Sequence, residues 1–279
     1  MHKYDEVLDW QLNLIRRWST SDKDFELLLA DSNSSKETKR EAIAKLHDDA
    51  LFAVKQASAY FISDDICKLL QAAAKDLPSI VAEEPDLPYQ CGICKFESPI
   101  PTPQNKYHIA GILWATCGPD LSRPPTGVGL FPILTNPNLP VCAALIEFGK
   151  QWFKSDTANE VNQASRMLLA LSLFTKQRLL ITSKHNPTNR SLKRRLDKTK
   201  PLHDPEILVI KLRHRDSISD NPNRTSQEWS CHWIVRGHWR QQWYRSAQKY
   251  RPKWICPYVK GPADKPFKEP DIPIYAVIR

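Results

Sequence analysis

Glycine is scarce in this chain, with 8 residues in 279. No glycine-rich phosphate loop is present, and neither a GxSxG nucleophile elbow nor an HExxH zinc helix occurs. Long apolar runs are missing too. The longest, MLLALSLF at residues 167–174, stops well short of the ~20 residues a membrane helix needs. Cysteine reaches only seven, an odd count without the spacing of a small disulfide-linked domain, which points to reduced thiols. The leading residues MHKYDEVLDWQLNLIRRW carry charge through every turn and lack the apolar stretch of a secretory signal. These absences set the expectation of a cytoplasmic protein without membrane contact. Carboxylates are too scattered to compose a two-metal nuclease site.

Proline, by contrast, is plentiful at 22, so fixed φ angles set the turns more than a permissive backbone does. Positive charge is abundant and unevenly placed. Residues 176–279 hold 23 Lys and Arg against 9 Asp and Glu, whereas residues 1–175 hold 17 against 22. A surplus confined to one part of the chain favours a polyanionic partner over a general solubility device. Shielding of the basic part by the acidic first half is the competing explanation.

Apolar periodicity divides the chain into four stretches. Residues 1–78 read as helical, with Val7, Trp10, Leu14 and Trp18 recurring at three- and four-residue steps and Ser63 placed to cap a helix led by Asp64 and Asp65. Residues 79–183 mix short apolar strands (YQCGICKF, YHIAGILWATC, VGLFPIL, VCAALIEF) with a buried helix over 157–183. Residues 184–205 form a basic linker or helix. Residues 206–279 predict a C-terminal antiparallel sheet or partly open barrel built from ILVIKLR, residues 229–244, KWICPYV and IYAVIR, packed on the long buried helix. The fold class is therefore α+β, with 79–279 able to form one domain.

The densest chemistry lies in CHWIVRGHWRQQWY at residues 231–244. In an extended strand, Trp233, Trp239 and Trp243 share one face, while His232, Arg236, His238, Arg240 and Tyr244 share the other. A second strand across the loop RSAQKYRP adds Lys253 and, at its end, Lys260. Gly237 is a bulge candidate that would exchange the faces beyond it.

Three readings follow. The cationic face binds phosphates, helped by the basic run of Arg190, Lys193, Arg194 and Arg195. Alternatively, His232 and His238 act as base and acid in cutting RNA, with Arg240 and Tyr244 in support and no metal or other cofactor. In a purely architectural reading, the histidines are sheet residues and the arginines pair with carboxylates such as Glu228, Asp264 and Asp271. Cys91 and Cys94 have zinc-knuckle spacing, but no second ligand pair follows; buried free thiols fit them better.

The segments ILVIKLRHR, HWIVRGHWRQQWY and KWICPYVKGPADKP, with LLALSLFTKQRLL and FESPIP upstream, resemble a family of largely uncharacterised proteins of actinobacteria and their phages and plasmids. The resemblance is strongest after Ile207 and does not reach the first 78 residues. It brings no activity. It implies a mobile-element setting, in which toxins, antitoxins, replication factors and anti-defence proteins all occur.

The sequence thus leads to a nucleic-acid-binding protein, with RNA favoured over DNA because the surface is a sheet carrying aromatics and not a recognition helix. A toxin-like ribonuclease is the narrower form of that reading. A regulatory factor that engages an acidic protein partner is the alternative, with the tryptophan-rich hairpin then serving as core or interface.

Overall fold

A computed structural model describes residues 2–20, 36–83, 90–102, 107–117, 126–135, 144–153, 160–177, 180–198, 207–212, 230–231, 233–235, 237–260, 262 and 266. Its centre is a mixed seven-stranded sheet. The strands are β1 (Ser58–Ile62), β2 (Cys91–Pro101), β3 (His108–Cys117), β4 (Gly127–Leu134), β5 (Ala144–Glu147), β6 (Leu180–His185) and β7 (Ile207–Leu212), in the order β5-β4-β3-β2-β1-β7-β6. β1 runs parallel to both β2 and β7; every other pairing is antiparallel. The α+β class expected from the sequence holds.

Alternation along β1 shows how the layers arise. Tyr60 and Ile62 point to one side, and Ala59 and Phe61 to the other. On the second side lie α1 (Glu6–Thr20), α2 (Lys36–Gln56) and α5 (Arg190–Asp197), through Leu8, Leu12, Ile15, Val54, Leu192 and Leu196. On the first side lie α3 (Asp64–Lys75) and α4 (Glu160–Lys176), with Leu70, Ala73, Leu168, Leu169 and Phe174 buried against the sheet. Buried Gln11 joins α1 to α2 by donating to the carbonyls of Val54 (2.7 Å) and Ala57 (3.1 Å), which the end of α2 leaves without helical partners.

Several expected elements move. The α1 stripe turns about the helix so that Leu8, Leu12 and Ile15 are buried beside Val7 and Trp18, while Trp10 lies partly exposed with Lys95 Nζ 5.2 Å from its ring. Residues 58–62, expected to be helical, form an interior strand between β2 and β7; as a parallel strand covered on both faces, SAYFI shows no alternation to reveal it. The helix expected to reach residue 183 ends at Lys176, and β6 follows as an edge strand. Ser63 occupies the N-cap of α3, but its hydroxyl makes no capping bond. The Asp64 N–H instead donates to Glu97 Oε2 at 3.0 Å, and Lys3 Nζ lies 2.6 Å from Glu97 Oε1. These bonds, the one from Lys3 foremost, hold the Glu97 carboxyl below its ordinary range.

The C-terminal residues depart most from expectation. β7 belongs to the large sheet, between β1 and β6. The rest of the described segment forms two small ladders: β8 (Trp233–Val235) with β11 (Tyr258–Lys260), and β9 (His238–Tyr244) with β10 (Lys249–Ile255). Among the described residues these pieces close no barrel. Register is nevertheless kept between the ladders, since Ile255 faces His238 and Tyr258 faces Val235, leaving two residues on each strand between them. They are two halves of one long hairpin, interrupted where Pro257 has no N–H to give. The final expected strand, 274–279, lies outside the described residues.

Candidate functional site

The β9–β10 half of the hairpin turns at residues 245–248, a tighter loop than the eight residues RSAQKYRP allowed for. Gln248 makes this turn with φ of 50°. Trp239 and Trp254 stand directly opposite each other, their rings 5.1 Å apart and edge to face. Phe174 of α4 covers both, stacked on Trp239 at 5.9 Å and tilted against Trp254 at 6.2 Å. Polar bonds complete the attachment. Trp239 Nε1 donates to the Ala73 carbonyl at 2.9 Å, and the Trp254 N–H donates to Gln177 Oε1 at 3.1 Å. Burial of Trp254 alone stabilises this contact by roughly 2–3 kcal/mol. Gly237 allows it: a Cβ there would meet Trp254 Cζ2 at 2.5 Å.

From this base the ribbon extends outward with two unlike faces. Continuing from Trp239 and Trp254 come Gln241 opposite Pro252, then Trp243 opposite Tyr250. The second aromatic pair has ring centroids 5.0 Å apart but no Phe174 above it, and its members are 45% and 65% exposed. The other face carries His238, Arg240, Gln242 and Tyr244 across from Ile255, Lys253, Arg251 and Lys249. Arg240 and Lys253 are a directly opposed pair of like charges, an arrangement that costs stability by itself. Arg240 is oriented by a hydrogen bond from Nη2 to Gln242 Oε1 at 2.5 Å, and neither cation forms an ion pair among the described residues. Nearer the turn, Glu83 takes Lys249 (2.5 Å) and Arg251 (2.5 Å) together.

Of the residues singled out from sequence, the structure brings His238, Arg240 and Lys253 onto one face. Tyr244 shares that face but stands six residues from His238, about 20 Å along a strand. A single scissile phosphate cannot touch both. His232 and Arg236 lie outside the described residues, as do Glu228, Asp264 and Asp271. Lys260 belongs to the other ladder, opposite Trp233.

The basic run is a real helix, α5, capped by Asn189, whose side chain accepts from the N–H groups of Ser191 and Leu192. Leu192 and Leu196 bury against the α1 side of the sheet, and Arg195 Nη1 meets Asp9 at 3.3 Å. Arg190, Lys193 and Arg194 are exposed there, across the sheet from the hairpin. The two basic features expected to cooperate therefore sit on opposite layers. Glu83 is the partner that sequence reasoning missed; it is remote in the chain and no spacing rule connects it to Lys249 or Arg251.

Cys91 and Cys94, three apart on β2, point to opposite faces and offer no common pair of ligands. Burial pushes the Cys94 thiol up to about 12 and the Cys67 thiol up to about 11, so both are poor nucleophiles. Among the described residues no group of three or more His, Cys, Asp or Glu side chains is placed to hold a metal ion. No described helix is long and apolar enough to cross a membrane.

No protein-family model matches this chain, and no curated protein matches it.

Proposed function

We propose that this protein binds nucleic acid, with the β9–β10 hairpin as the contacting element and the phosphate backbone running along its Arg240–Lys253 face. One observation carries the reading: two cations are held directly opposite each other on an anchored ribbon, and neither forms an ion pair among the described residues, Glu83 being taken by Lys249 and Arg251. Such a pair costs the fold something unless an anion completes it. An arginine fork and a lysine suit phosphate oxygens. The basic surplus after residue 175 agrees in sign and place. RNA is the preferred form because a ribbon with aromatics, and not a helix, presents the contacts. Exposed Arg190, Lys193 and Arg194 of α5 would form a second, separate contact surface. A mobile-element setting rests on the C-terminal resemblance alone.

The test is fluorescence anisotropy with labelled mixed-sequence RNA at low salt. Charge reversal in R240E/K253E is expected to weaken binding at least ~10-fold, the scale of one lost charge-assisted contact of 1.5–3 kcal/mol. Unchanged affinity in that variant contradicts the proposal. Wild type that ignores RNA and DNA but forms a stable complex with an acidic protein favours the regulatory alternative. The ribonuclease form requires His238→Ala to lose cleavage of single-stranded RNA that the wild type performs.

A further inference from the structure

The uncovered pair Trp243–Tyr250 is the second feature of the hairpin that packing does not account for. Its counterpart Trp239–Trp254 occupies the same face and is capped by Phe174, with Trp254 only 3% exposed. Trp243 and Tyr250 repeat that cross-strand geometry four residues further out on each strand, where no core residue among the described ones reaches. A cross-strand aromatic contact steadies a ribbon modestly, yet leaving two large rings in water forgoes most of what their burial would contribute. Cations surround them. Exposed Arg245 opens the turn, and Arg240 with Lys253 lies about 10 Å back along the strands, on the reverse face.

We infer that Trp243 and Tyr250 form a base-stacking platform and that the hairpin takes single-stranded nucleic acid in preference to duplex. This inference rests on the proposed nucleic-acid reading and deepens it. A two-stranded ribbon is one layer thick, so a flexible strand held by phosphates on the Arg240 face can pass over the turn and lay a base against the rings behind. A duplex cannot follow. Its bases are already stacked on each other, and it stays stiff over ~150 bp, far longer than a hairpin turn. Every base has a π-face, so the platform carries no strong sequence preference.

The experiment compares one RNA oligonucleotide, single-stranded and annealed to its complement, on wild type, on W243A/Y250A and on R240A/K253A. The expected result is tighter binding of the single strand by wild type, a loss of ~10-fold or more for that strand in W243A/Y250A, and little change for duplex. Quenching of tryptophan fluorescence by the single strand should shrink in W243A. R240A/K253A should weaken both forms. If W243A/Y250A melts early, W243L/Y250L keeps apolar bulk without flat rings and should show the same selective loss. Equal affinity for the two forms, or a preference that survives the aromatic substitutions, overturns the platform while leaving phosphate binding intact. Absence of salt-dependent binding to either form overturns the underlying reading as well.

Discussion

The indole N–H of Trp239 donates to the carbonyl of Ala73 at 2.9 Å, tying the outer hairpin to the last turn of α3. That carbonyl is one of those a helix end leaves without a partner. Arg166 of α4 donates to the next carbonyl, that of Ala74, and to that of Leu77 just beyond the helix, at 3.3 Å each. The ribbon is thus held to the core at a point where a bond was owed. Trp239→Phe keeps a ring on Phe174 but removes the donor. Urea unfolding should show a loss of about 1 kcal/mol from the bond, plus a smaller packing loss. A variant as stable as wild type would deny the bond any role.

Gly237→Ala probes the break in the long hairpin. The added methyl would lie 2.5 Å from Trp254 Cζ2 and 3.0 Å from Pro257 Cδ. Trp254 is buried and cannot swing away freely, so overpacking should cost about 1–3 kcal/mol, seen as a lower midpoint in thermal unfolding. No change in midpoint would mean that the ring has room to move.

Acid pH should act through Glu97. Its folded pKa is depressed by Lys3 and by the Asp64 N–H. A carboxylate held below its unfolded value, near 4.3, contributes stability above that pH and loses it as pH falls through the folded value. Lys3 is raised by the same bond, so its share is present below its unfolded value near 10.4 and fades as pH rises through the folded one. Wild-type stability should therefore fall below about pH 4, and Glu97→Gln should fall less steeply in that window. The effect is modest, because both side chains are partly exposed and the pair is screened. Parallel acid limbs in the two proteins would refute the assignment.

Thiol reactivity offers a check on the core. With Cys67 near 11 and Cys94 near 12, almost no thiolate exists at either position at pH 8, and neither is open to reagent. Mass-spectrometric mapping after brief alkylation should find both unmodified in native protein and both modified in denaturant. Rapid native labelling of Cys94 would mean that β2 opens.

Much of this arrangement was visible in the residues, and the rest was hidden for physical reasons. The antiparallel strands β2 to β4 and the start of α3 at Ser63 follow from apolar runs and turn residues, whereas the bond to the Asp64 N–H comes from distant Glu97. β1 escaped notice because a strand buried on both faces has no period to read. β6 escaped because LITSKH continues the leucine-rich helix without a break residue. In the hairpin, alternation did place His238 and Arg240 on one face of β9. Which residue faces Arg240 depends on turn length, and the four-residue turn makes it Lys253. Depth was beyond the pattern altogether. Trp239 and Trp243 are two steps apart on one face, yet only the first meets Phe174. Tertiary placement likewise put α5 behind the sheet and brought Glu83 to Lys249.

The most direct measurement is the salt dependence of RNA binding, taken as the slope of log K against log salt concentration for wild type and R240A/K253A. If Arg240 and Lys253 hold phosphates, the wild-type slope is negative and the variant's is shallower by roughly 0.7 for each cation removed. Identical slopes for the two proteins, or wild-type affinity indifferent to salt, would contradict it.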